Sequence, residues 1–100
     1  MEKPASKASR KAAEALAIQA LSFIAGDPER LGRFLAATGI GPSDIRTAAR
    51  EPLFLAGVLD HITNDESLLT TFASDVKSDP REILRAQSTL SGRRYERDVP

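Results

Sequence analysis

An all-α fold is what this sequence predicts: a compact six-helix bundle built from two pseudo-twofold-related three-helix repeats at an offset of 38 residues. Self-similarity predicts the duplication. Sliding residues 12–48 onto 50–86 places Leu21 on Leu59, Ile24 on Ile62, Asp27 on Asp65, Phe34 on Phe72, Pro42 on Pro80 and Ile45 on Ile83. These are apolar and helix-start positions, the ones that build a packed unit. Helical spacing of the apolar residues, with no segment alternating at period two, predicts helices and no strands.

The first helix is expected from about Lys11 to Ala25. Ala and Leu are so dense in it that Glu14 or Ala15, Gln19, Ser22 and Gly26 form its polar line, so it should be covered on most sides. Gly26 suits the left-handed conformation that ends a helix. Asp27-Pro28 then opens a second helix, because aspartate accepts from free first-turn amides and proline fits a position that needs no N–H. Leu31, Phe34 and Leu35 point inward, and Gly39 stops it. Gly41-Pro42 opens a short third helix, with Asp44 at the positive end of its dipole and Ile45 and Ala48 on its buried side.

The second half replays the first. Glu51-Pro52 starts a helix whose Phe54, Leu55, Val58, Leu59 and Ile62 form an apolar stripe. Thr63 with Glu66 reads as a capping box for the fifth helix, through Leu68, Leu69, Phe72 and Val76. Asp79-Pro80-Arg81-Glu82 is the clearest start, with Glu82 placed to return a bond to the cap. This sixth helix should run to about Leu90 and end at Gly92. Each unit is too small to bury both faces of its first helix. Helices one and four are therefore expected at the centre, with the other four around them. Gly57 lies on the polar line of helix four, and a glycine inside a helix suggests close approach of helix one.

One hundred residues, 41% of them apolar, make one small domain. The expected organisation is a flexible basic tail at 1–10, a helical domain at 11–91 with repeats at about 12–49 and 50–90, and a second basic tail at 92–100. The absence of cysteine excludes disulfides and thiolate zinc sites, and makes a cytoplasmic location the natural expectation. The apolar stretch from Ala15 to Ala25 is too short and too interrupted to span a membrane, and no export signal is read at the N-terminus. Residues 14–90 carry eleven acidic and seven basic side chains, so the folded part is mildly acidic and the basic character lies in the tails. Nucleic acid is accordingly a disfavoured partner.

Chemistry-bearing side chains are sparse. His61 is the single histidine; with Asp60, Asn64 and Asp65 it forms the one polar cluster that warrants inspection. Metal sites need three or four converging ligands, and His61 aligns with Phe23 on the edge of an apolar stripe, so a partly buried structural role is expected. Without cysteine, a second histidine or a nucleophile-elbow turn, no activated nucleophile is readable, and no catalytic residue, cofactor or metal is expected. Asp27, Asp44, Asp65, Asp79 and Glu82 stand where helix starts need acids. The second and third helices imitate a helix-turn-helix with Arg46 and Arg50 outward, though the third is very short.

Several strings are similar to a family of small all-helical bacterial proteins of unknown function: Asp27-Pro28-Glu29, Phe34-Leu35, Gly39-Ile40, Asp44-Ile45-Arg46, Val58-Leu59-Asp60 and Asp65-Glu66-Ser67-Leu68-Leu69. The resemblance covers roughly residues 14–88 and implies a compact cytoplasmic helical domain, with no functional residue to carry over. The expected function is a non-enzymatic interaction module that docks a peptide or helix of a partner protein. Leu53, Leu55 and Leu68 are its candidate contacts, and homo-oligomer formation is compatible with such a surface. The alternative is a small nucleic-acid-associated regulator using the basic tails and Arg46 and Arg50.

Overall fold

The computed structural model describes the backbone over residues 7–98 and side chains over residues 9–91. Within them lie α1 (Lys7–Ala25), α2 (Pro28–Thr38), a 3-10 turn (Pro42–Asp44), α3 (Ile45–Ala48), α4 (Pro52–Thr63), α5 (Glu66–Asp75) and α6 (Pro80–Asp98), with no strand among the described residues. The chain is all-α, as its periodicity predicts. Of the two expected tails, residues 1–6 and 99–100 lie outside the described residues. Residues 7–10 extend α1, and α6 passes through Gly92 rather than ending there. Arginine predominates beyond Gly92, and its helix propensity helps offset the cost of one glycine.

Proline opens α2, the 3-10 turn, α4 and α6. Asp27 Oδ1 accepts from the N–H of Glu29 at 2.9 Å and of Arg30 at 3.4 Å, and Asp65 Oδ1 accepts from the N–H of Leu68 at 3.1 Å. Asp65, not Thr63, therefore caps α5. Thr63 remains in α4, where its hydroxyl donates to the Asp60 carbonyl at 3.3 Å. Asp79 Oδ1 caps α6 through the N–H of Arg81 at 2.8 Å, while Glu82 turns away to pair with Arg85 at 3.5 Å. Asp44 makes no side-chain capping bond.

Among the described residues two backbone positions take positive φ, Gly39 at 76° and Lys77 at 56°, and they correspond under the 38-residue offset. The Gly39 N–H closes α2 on the Leu35 carbonyl at 2.8 Å. Lys77 closes α5 in a Schellman arrangement, with Ser78 N–H bonded to the Ala73 carbonyl at 2.9 Å and Lys77 N–H to the Ser74 carbonyl at 3.3 Å. Gly26 is not left-handed. A Cβ there would stand 3.3 Å from the Ser22 carbonyl oxygen, a tight contact that a small shift would have to relieve.

The core is an α1, α4 and α6 trio, each packed on the other two, with α2 laid on α1 and α5 on α4 and α6. Ala13, Ala17, Ala20, Leu21 and Ile24 of α1 meet Val58, Leu59 and Ile62 of α4 and Ile83, Ala86 and Leu90 of α6 in one buried cluster. This revises the expected arrangement, because α6 joins the centre. The third elements of the two halves differ: α3 is four residues long and buries none of them, so Ile45 is half-buried where its counterpart Ile83 is fully buried. Gly57 also departs from expectation. It is exposed and a Cβ on it would meet nothing within 4 Å, because α4 turns the opposite face, with Val58 and Leu59, toward its neighbours. Small side chains against α1 come instead from α1 itself, as alanines. Nor is α1 covered on most sides, since Ala15, Ile18, Gln19, Ser22 and Ala25 are exposed.

Phe34 and Phe72 are both wholly buried, and each receives a ring from the other half. Phe23 of α1 tilts against Phe72 of α5, and His61 of α4 stands edge-on to Phe34 of α2, with ring centroids 5.2 Å apart in both pairs. The offset carries Phe23 to His61 and Phe34 to Phe72, so one pair is the other with its halves exchanged.

Candidate docking groove

The sequence-predicted contacts divide in the structure. Leu53 is exposed, Leu55 is buried in the core and Leu68 is half-buried against it, so these three do not line a common groove. Leu55 falls inside because it shares the inward face of α4 with Leu59 and Ile62, one turn apart.

The polar cluster also resolves into separate duties. Asp60 accepts from Gln87 Nε2 at 2.6 Å and so ties α4 to α6; Gln87 Nε2 reaches Ser91 as well, at 3.2 Å. His61 is half-buried with its ring on Phe34. Asn64 follows α4 and closes it on the Asp60 carbonyl at 3.0 Å, and Asp65 is the α5 cap. Among the described residues no three of His, Cys, Asp and Glu are placed to hold a metal ion. Arg46 and Arg50 are exposed.

A better-formed site lies where α1 turns into α2. Phe23, in the last turns of α1, keeps one part of its ring on Phe72 while Arg30, in the first turn of α2, lays its guanidinium carbon 4.2 Å from the ring centre. That contact is a cation–π stack, made in reach by the tight elbow at Gly26 and Asp27. Asp27 Oδ2 stands 4.0 Å from Arg30 Nη1, a loose pairing because the same carboxylate is occupied in capping α2. The stack forms one wall of an open depression of about 710 Å³, together with Ser22 and Gly26. Opposite stand Thr70, Thr71, Ser74 and Asp75 of α5. Thr70 and Thr71 donate their hydroxyls to the carbonyls of Glu66 and Ser67 at 2.9 Å, which fixes both rotamers and leaves oxygen lone pairs toward the outside.

This arrangement can hold a ligand that has an apolar stem and a charged end. One wall is aromatic, the other carries hydroxyls, and the depression presents one cation and one anion that form no ion pair with each other among the described residues. Phe23 and Arg30 were not distinguishable as a pair by helical spacing alone, since they lie on different helices. The signal in the sequence is a break in the repeat, where Arg30 stands at the position that Leu68 fills in the second half.

No described helix is long and apolar enough to cross a membrane. Compared with known protein families, residues 10–93 match the model described as Protein of unknown function (DUF3572). No curated protein and no solved structure matches the chain.

Proposed function

Because the chain belongs to the DUF3572 family of unknown function, we propose its role from its own surface: a non-enzymatic interaction module that docks a peptide segment of a partner protein. The docking site is the groove between the α1–α2 elbow and α5. Arg30 is the observation that supports this most. A guanidinium laid on an aromatic face keeps its planar fork of donors directed outward, and here that fork borders an open depression with 32% of the side chain exposed. Arginine and aromatic side chains are each enriched at protein interfaces. Ile18, 49% exposed and one turn before Ser22 on the open face of α1, extends the groove with apolar surface.

A photo-crosslinking side chain placed at Ser74, compared with one at Arg50 outside the groove, tests the reading in native cell extract. Docking predicts a discrete protein adduct from Ser74 that weakens only modestly from about 50 to about 500 mM salt, because it rests on one or two charge pairs rather than on many phosphate contacts. A nucleic-acid regulator predicts adducts with nucleic acid from Arg50 that fade steeply over that range. The exposure of Arg46 and Arg50 favours that second reading only weakly, since the surrounding folded part is mildly acidic.

A further inference from the structure

Resting on the docking reading, we infer that the groove selects a carboxylate: an aspartate or glutamate side chain of the docked segment, held by Arg30. Three observations lead there. Arg30 is the cation that lines the groove, its stem is fixed by the stack on Phe23, and its pairing to Asp27 is at the limit of contact. A pre-positioned guanidinium with free donors in one plane matches a carboxylate through two parallel hydrogen bonds, which an ammonium cannot reproduce.

The repeat supplies the second observation. At the 38-residue offset Arg30 corresponds to Leu68, Ser74 to Ala36 and Asp75 to Ala37. In the second half an apolar side chain packs on the core at this place, and in the first half a charge stands over the ring. The departure is confined to Arg30 and to the Ser74–Asp75 edge, since Ser22, Phe23 and Gly26 are less polar than their counterparts Asp60, His61 and Asn64. A charge at Arg30, where the other half packs a leucine, is not required by folding alone.

Charge supplies the third, and it narrows the partner. Asp75 lines the same groove and has no ion pair among the described residues, and the folded part carries more acids than bases. A polyacidic partner would be repelled. The fitting occupant is a mixed segment, with one acidic side chain toward Arg30 and a basic side chain toward Asp75.

Chemical-shift titration of the full chain with short peptides, blocked at both ends and identical except for Glu, Gln or Arg at one position beside a constant Lys, tests this. The Glu peptide should shift the amides of Ser22, Phe23, Arg30 and Ser74, and should bind about tenfold more tightly than the Gln peptide. Arg30→Met should bring the Glu peptide down to the Gln level. Arg30→Lys, which keeps charge and stem but not the fork, should fall most of the way there; its unfolding curve, matched to the parent, keeps the comparison valid. Equal binding of the Glu and Gln peptides at the groove would overturn the carboxylate inference and leave docking standing. Absence of shifts at the groove with all three peptides would overturn both.

Discussion

Lys77 holds a left-handed backbone conformation that disfavours any residue with a Cβ, and its repeat counterpart Gly39 shows the residue that suits it. Lys77→Gly is expected to stabilise the domain by about 0.5–1 kcal/mol, read as a raised midpoint in urea denaturation. Gly57 gives the complementary case, since its φ is ordinary and a Cβ meets nothing. Gly57→Ala should stabilise by a similar amount, about 0.5–1 kcal/mol, by restricting the unfolded chain. The close approach expected at Gly57 misled because an interior glycine is the same letter whether a neighbour or open solvent faces it. Asp79 carries a pH dependence. The Arg81 backbone N–H, and then its guanidinium, hold the Asp79 carboxyl below its usual value. A folded-state value below the unfolded one adds stability that is complete above the usual aspartate range and is lost as pH falls through the lowered value. Melting followed from about pH 5 down to about pH 2 should therefore decline less in Asp79→Asn than in the parent, by a small margin because the group is exposed.

Among the elements, the proline starts and the ends at Ala25 and Gly39 were legible in the sequence, whereas the first residue of α1 and the end of α6 were not. A start is written by local chemistry: Asp27, Asp65 and Asp79 bond to amides two or three residues on, and Pro28, Pro52 and Pro80 need no partner elsewhere in the chain. The end of α6 depends on what it packs against and on its whole length, so Gly92 misleads as a stop. The same limit hid the asymmetry of the third elements. Ile45 and Ile83 are equivalent letters, but only α6 is long enough to reach between α1 and α4. Ile83→Ala should cost about 2–5 kcal/mol, whereas Ile45→Ala, at a half-buried position, should cost about 1 kcal/mol; paired denaturation curves compare them directly. The groove was illegible for a related reason. Phe23 and Arg30 meet through an elbow, and no periodicity reports on a contact between two helices.

At the scale of the whole molecule, the two halves of the chain interlock. The exchanged ring pairs, Phe23 with Phe72 and His61 with Phe34, join each half to the other. A fragment of residues 7–49 alone should show little helix by circular dichroism, because the buried alanines of α1 lose their cover and short isolated helices are marginal in water. The position of α6 also bears on how the chain is made. Ala13 and Ile83 are 70 residues apart, yet both belong to the one core. At about 5–20 residues per second, a ribosome leaves α1 waiting on the order of several seconds before α6 is complete. Throughout that interval α1 lacks the helix that completes its core, so its buried alanine face is expected to gain its final cover only after the whole chain has been made.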